Sequence, residues 1–271
     1  MASPNTYPNG LNLAGTVFEN GPATLQLSGP TFVSGAVQWL HSSGSDANAG
    51  TLPELPVATL AQAITNSTTD GLIVIGEGHS ESLGVSQTIS LANLSIFGCG
   101  AGSNRPRFTC TATIAMFNVT GAGLWIEGVY FPASTAVAVN RISLVAANGT
   151  VKDCYFECGA NDTNAAVKLG AGGNSSKVDG CSFVTTASRP GTGLRITSGV
   201  VDPVVTNCTF DGGAYGWSDY ALKGDTTAPT RIRLIGNTFT NRSDLGVTVT
   251  GTTYQMYGNT FAGTSNVVIT A

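Results

Sequence analysis

Charge is what this chain has least of. Only 10% of its 271 residues are Asp, Glu, Lys or Arg, against about 25% in an average globular protein. The balance of 12 basic and 16 acidic residues leaves a net charge of −4, and the few cations form no basic stripe. A nucleic-acid partner is therefore not expected. Histidine is nearly missing, with only His41 and His79. His79 lies beside Glu77 and Glu81, a grouping that suits acid–base chemistry, yet a structural hydrogen-bonding role is the simpler expectation. No Cys-x-x-Cys pair is present to suggest zinc. Asp46 and Asn48 are read as turn-forming residues rather than Ca²⁺ ligands. No metal and no cofactor is expected.

Long apolar runs are lacking too, which excludes a helical membrane span. The chain opens Met1-Ala2-Ser3-Pro4-Asn5, without a basic and apolar leader, so the product is expected to be made in a cytoplasm and not exported by a standard signal. The six cysteines are then expected to be reduced and, at the repeat positions below, to act as small buried hydrophobes. After about residue 70 no segment sustains a 3.6-residue apolar stripe, which excludes a helical domain.

What the chain does have is a repeat. Val151-Lys152-Asp153-Cys154-Tyr155-Phe156, Val178-Asp179-Gly180-Cys181-Ser182-Phe183 and Val205-Thr206-Asn207-Cys208-Thr209-Phe210 follow one another at a step of 27 residues. Two further copies put Asn in place of Cys, ending in Asn237-Thr238-Phe239 and Asn259-Thr260-Phe261. A looser early copy ends at Phe131. Such a period marks a solenoid, in which each repeat buries its apolar face against its neighbours. Between the copies lie short alternating runs such as Val167-Lys168-Leu169 and Leu194-Arg195-Ile196, the period of a strand with one buried face. Gly, Asn, Asp, Ser and Thr clusters separate them as turns. Leucine-rich repeats share the period but need leucines at several fixed positions, where this chain uses Val, Ile, Cys and Phe.

The expected fold is all-β, a right-handed parallel β-helix of about seven coils. Stacked at ~4.8 Å, these give a rod on the order of 35 Å long. Phe131, Phe156, Phe183, Phe210, Phe239 and Phe261 are expected to form an internal aromatic stack. Cys154, Cys181, Cys208, Asn237 and Asn259 are expected to form a second ladder at a turn. Three regions are expected: an arm or foot over residues 1–37, a cap and first coil over 38–90, and coils over 91–271. Within the cap, Pro56 to Ile64 reads as a short helix with Thr59 as N-cap, closing the apolar end of the solenoid.

Alignment of the coils on their Phe also tests for catalysis. Four positions before it, the row reads Glu127, Lys152, Asp179 and Thr206, expected to pair as an exposed charged ladder. One position after it stand Glu157 and, a whole coil further, Asp211. Their separation of about 9 to 10 Å falls within the range of inverting glycosidases, but unrelated surface acids give it equally. No catalytic residue is assigned. The loop from Asp211 to Tyr220 carries Tyr215, Trp217 and Tyr220 among glycines, and three aromatics there cannot all be core. They are expected at a subunit interface, with sugar contact as the second reading.

Two elements carry a resemblance. Gly44-Ser45-Asp46-Ala47-Asn48-Ala49-Gly50-Thr51 and the following Pro56–Ile64 stretch resemble the opening of pectate-lyase-like β-helix proteins. Ile73-Val74-Ile75-Gly76-Glu77-Gly78-His79-Ser80-Glu81-Ser82, with Leu94–Gly100 and Asn104-Arg105-Pro106-Arg107-Phe108 after it, is similar to a Gly-His-Ala-Glu-Thr element of tailed-bacteriophage β-helix proteins. The resemblance implies a virion protein without enzymatic activity, a homotrimer resting on the major capsid protein or another virion protein, most directly as a capsid decoration (cement) protein. A tailspike- or fibre-like protein that binds or cleaves a host glycan is the alternative. In either case residues 1–37 are expected to make the attachment, with Tyr7, Leu11, Leu13, Phe18, Leu25, Leu27 and Phe32 as its apolar contacts.

Overall fold

The computed structural model describes residues 35–136, 138–186, 190–225, 230–241, 243–248, 254–263, 265 and 267–270. The seven attachment candidates, Tyr7 to Phe32, lie outside the described residues. From Val37 onward the chain winds as a parallel β-helix. Among the described residues three sheets run along it, of nine, eight and eight strands, so eight windings each give one strand to every sheet. The first sheet begins with Val37–Leu40 and Leu72–Ile75, the second with Ser80–Leu83 and the third with Gln87–Ile89. Every strand pairs in parallel with its equivalent one coil away, as in Val151↔Val178↔Val205↔Leu234.

The repeat hexapeptide is the corner between the first and second sheets. Its third residue, the one before Val129, Cys or Asn, takes positive φ in six successive coils: Gly128, Asp153, Gly180, Asn207, Gly236 and Gly258. Only Gly, Asn and Asp tolerate that conformation readily, which is why no other residue type occurs there. The following residue points inward. Asn237 donates from Nδ2 to Val205 O at 3.0 Å, and Asn259 to Leu234 O at 2.8 Å. The thiols of Cys181 and Cys208 reach the equivalent carbonyls, Val151 O and Val178 O, at 3.5 and 3.6 Å. The cysteines thus do more than fill space: they imitate the amide with a weaker donor. All six are free thiols, and burial pushes the Cys154 and Cys181 groups well above the ordinary thiol range.

Two residues further, the phenylalanines lie in register. Their ring centroids are 4.8 to 4.9 Å apart and their planes within 6° of parallel. The strand spacing dictates this distance. Rings in contact at ~3.5 Å must therefore slide sideways, into the offset arrangement that the ring quadrupole favours. At the upper end, Phe117 meets Phe108 and Phe131 edge-on.

The cap closes that end. Its helix spans Leu60–Asn66, with Thr59 accepting from Gln62 N. It starts later than the Pro56–Ile64 reading because Val57 bridges Leu40 and Asp46 Oδ1 accepts from Ala58 N and Thr59 N, both at 2.9 Å. Asn48 donates to Pro56 O. Leu60 and Ala63 are fully buried against the first coil. His79 does not take the hydrogen-bonding role expected of it. Its ring is buried with neither nitrogen hydrogen-bonded, Glu81 being 3.4 Å from Nε2. It instead packs 5.2 Å from Phe108, because the cap turns it inward onto the end of the aromatic column.

In urea unfolding, Phe183→Ala should cost about 3 to 5 kcal/mol, since neighbours held at fixed strand spacing cannot collapse into the cavity. Cys208→Asn should change stability by less than ~1 kcal/mol, because the amide meets the same Val178 carbonyl. Cys208→Leu, which overfills the corner, should cost ~1 to 3 kcal/mol.

Candidate functional site

Two outer faces gather chemistry. The larger lies on the second sheet. Arg107, Tyr130, Tyr155 and Ser182 occupy one register row on four consecutive coils. Inward neighbours Phe108, Phe131, Phe156 and Phe183 are buried, so strand alternation turns the row outward. Glu157, two residues after Tyr155, shares that face. The corner turn is short in later coils, but residues 99–106 expand it and include the 3₁₀ turn Gly102–Asn104. This loop stands beside the row as a wall. Asn104 Nδ2 donates to Glu77 Oε1 at 2.8 Å, Arg107 Nη2 to Ser103 O at 2.8 Å, and Arg105 Nη1 reaches Asp153 O at 3.0 Å. The resulting groove has a volume of about 540 Å³ and is lined by Gly102, Ser103, Arg105, Arg107, Tyr130, Tyr155, Glu157 and Ser182.

Inside the groove the side chains are already ordered. Tyr130 and Tyr155 meet at a centroid distance of 5.5 Å and a 66° angle. The Arg107 guanidinium lies 5.6 Å from the Tyr130 ring centre, a favourable cation–π placement. Burial and then a hydrogen bond to the Glu157 carboxylate push the Tyr130 phenol well above its usual range. Burial also raises Tyr155. The floor is pinned from within: Arg141 Nη2 donates to Glu157 O and Pro132 O, both at 3.1 Å. Arg141 and its partner Asp162 form an ion pair that is nearly inaccessible to solvent. Asp162 in turn accepts from Gly159 N at 2.6 Å. The sequence patterns gave no sign of this pair, since Arg141 neighbours the inward Ile142 on its strand and finds its partners in Pro132, Glu157 and Asp162 of other segments.

The second face is a row of cations. Lys168, Arg195 and Lys223 are aligned on neighbouring coils of the third sheet. Asp225 pairs with Arg195 at 2.8 Å and Asp219 with Lys223. Lys168 has no ion-pair partner among the described residues. Like charges directly opposite one another destabilise a sheet, so this row is tolerated at a cost.

The remaining candidates fall as follows. Glu157 and Asp211 share an outward row with Val184 between them. Asp211 Oδ1 accepts from Gly213 N and Asn241 Nδ2, both at 2.9 Å, so it ties its own loop to the next coil. In the row read as alternating charges, Lys152 pairs with Glu127 at 2.8 Å. Asp179, however, bonds Lys177 and Thr206 instead of Lys152. Trp217 must be withdrawn from the interface candidates. It is 5% exposed, donates to Ser243 Oγ at 3.1 Å, and packs against Gly193, which leaves room for the indole. Tyr215 is 49% exposed and Tyr220 half-buried beside Lys223. Asp46 is consumed by the cap, and no metal-binding cluster of His, Cys, Asp or Glu occurs among the described residues.

A parallel solenoid with a short capping helix defines the class, and the comparisons agree. Residues 64–261 match the family described as right handed beta helix region, and the chain belongs to it. No curated protein matches. Among solved structures, a rhamnogalacturonan lyase is similar over 84% of this chain and 74% of its own, with TM-score 0.50 and 14% identity. Pectate lyase Pel9A is similar over 87% and 78%, with TM-score 0.48 and 13% identity. A protein described as Geobacillus virus E2 ORF18 is similar over 73% and 54%, with TM-score 0.38 and 15% identity. At such identities the likeness is one of fold. No helix among the described residues is long and apolar enough to cross a membrane.

The cation row gives a direct test of its cost. Lys168→Gln should raise thermal stability at low salt by an amount worth ~0.2 to 1 kcal/mol, and the difference should shrink towards zero near ~1 M salt, where screening is nearly complete. A loss of stability, or a gain independent of salt, would show that the row is not under mutual repulsion.

Proposed function

We propose that this chain is a non-enzymatic structural subunit of a tailed-phage virion, a homotrimeric capsid decoration protein whose β-helix projects from the particle. One observation carries the non-catalytic part of this reading. The polar residues within the phage-like stretch are engaged as joints of the scaffold: Glu81 accepts from Leu60 N at the start of the cap helix, Glu77 holds Asn104, and Arg105 clamps the fourth coil. Asp211, which a two-carboxylate mechanism would need, has its Oδ1 likewise engaged by its own turn and by Asn241 of the next coil. The resemblance of residues 73–108 to phage proteins supports the virion assignment. The trimer follows from a prism with few charges, able to bury one face by closed symmetry.

In this reading residues 1–37 attach the rod to the capsid protein through Tyr7, Leu11, Leu13, Phe18, Leu25, Leu27 and Phe32. Three arms per trimer multiply weak contacts. Gly35 and Ala36 bond the coil through Asp70 O and Thr68 Oγ1, so an informative truncation ends at residue 34. The protein lacking residues 1–34 should remain a folded trimer by sedimentation and fail to co-sediment with particles stripped of this subunit. Undiminished co-sedimentation would move the contact to the rod. A monomer at all concentrations, free and on particles, would remove the trimer.

A second reading, a tailspike- or fibre-like subunit holding a host glycan, is favoured by the cation row of Lys168, Arg195 and Lys223. Its repeat of ~4.8 Å suits an acidic polymer laid along the rod. Binding of polygalacturonate that weakens with salt and with Lys168→Gln would support it; salt-independent binding or none would count against it.

A further inference from the structure

We infer that the outward face of the second sheet is the surface along which three copies of this chain pack, side by side and parallel, around a three-fold axis, with Arg105 of one copy meeting Glu157 of the next. The inference rests on the homotrimer reading and adds to it which face is buried and what fixes the register.

A three-sided rod offers three faces, and charge separates them. On the third sheet Lys168, Arg195 and Lys223 form one row; turned towards an axis, three such rows would oppose one another at close range. The outward positions of the first sheet carry Glu127, Lys152, Lys177, Asp179 and Arg233. Burying them would take ions out of water at a cost that pairing does not fully offset. The second sheet is different. Its outer row descends through Tyr130, Tyr155, Ser182, Thr209, Thr238 and Thr260, six successive coils without a charge. At ~4.8 Å per coil this makes an uncharged strip about 24 Å long. Depletion of charge together with Tyr and Arg is the composition of an interface core. Below the two tyrosines, the short Ser and Thr side chains let three backbones come close.

The charges at the edges of this strip are complementary. Each coil passes from the first sheet through the second to the third, so the wall of residues 99–106 stands on the first-sheet side and Glu157 on the third-sheet side. The recess beside the wall sets two cations, Arg105 and Arg107, against the one carboxylate of Glu157. Neither arginine forms an ion pair within its own chain among the described residues. Arg105 donates to Asp153 O, which holds its guanidinium at the level of the coil that carries Glu157. Rotation about a three-fold axis parallel to the rod preserves that level, and it brings the first-sheet side of one copy against the third-sheet side of the next. The surplus cation of each copy then faces Glu157 of its neighbour at equal height, in a ring closed by symmetry. A slip of one coil breaks every such contact, so the pair sets the register of the trimer.

The test is sedimentation velocity on the full chain over a range of concentrations, with circular dichroism as the check on folding. The parent should sediment as a trimer. Thr209→Arg, at an exposed position of the strip, sets three cations around the axis; it should weaken association about 100-fold or more and leave a folded monomer. Val204→Arg lies on the same coil but on the first sheet, and it should remain a trimer. Arg105→Glu and Glu157→Arg should each weaken the trimer about tenfold, and the double exchange should recover most of that loss. This set decides the question should Thr209→Arg fail to fold. A trimeric parent whose association is undiminished by Thr209→Arg, an equal loss in Val204→Arg, or reversals that the double exchange does not rescue would overturn the choice of face and leave the trimer standing. A parent that is monomeric at every concentration would remove the trimer and this inference with it.

Discussion

In-register stacking of parallel coils is the constraint on which everything else in this protein depends. Each backbone strand hydrogen-bonds only to its equivalents above and below, so a residue is placed over its counterpart at the inter-strand spacing. Side chains then meet copies of themselves. Six phenylalanines become one offset column, and the corner amides and thiols reach the carbonyl one coil away. Stability in such an array is close to a sum over nearest neighbours, which lets a weak donor such as a thiol stand where another coil uses an amide.

The same repetition sorts residue types by whether they tolerate their own kind. Aromatic rings and amides do. Cations do not, and the row of Lys168, Arg195 and Lys223 is relieved only in part, by Asp225 and Asp219. Variation falls mostly in the turns, with one register shift inside a strand, between Ala138 and Asn140. Residues 99–106 exploit this freedom to raise a wall, and the loop after Asp211 folds Trp217 back into the core. A regular scaffold and irregular turns divide the work: the sheet supplies rows of side chains, and the turn decides which row becomes a recess.

This division explains why family membership leaves function open. The right-handed β-helix fold is similar to that of a rhamnogalacturonan lyase, yet chemistry resides in particular side chains on particular coils. In this chain the two acids that alignment placed on one face have separate employments: Glu157 orders Tyr130, and Asp211 holds its own turn and Asn241. Glu81, outside that row, starts the cap helix.

Much of the fold was legible because a solenoid converts sequence period directly into spatial neighbours. The Phe step, the Cys/Asn alternation and the Gly/Asn/Asp position before it report burial, a corner hydrogen bond and a left-handed backbone. Legibility fell where neighbours are set by loops rather than by the coil step. The sequence alone determined a parallel β-helix, its inward column and its capping helix, since each follows from local periodicity and turn chemistry. Only the tertiary structure decided that His79 packs on Phe108, that Trp217 is core, that Arg141 meets Asp162 out of solvent, and that Arg107, Tyr130, Tyr155 and Glu157 share a walled groove. Those outcomes depend on how turns of unequal length fold across the sheets, and no repeat encodes that path.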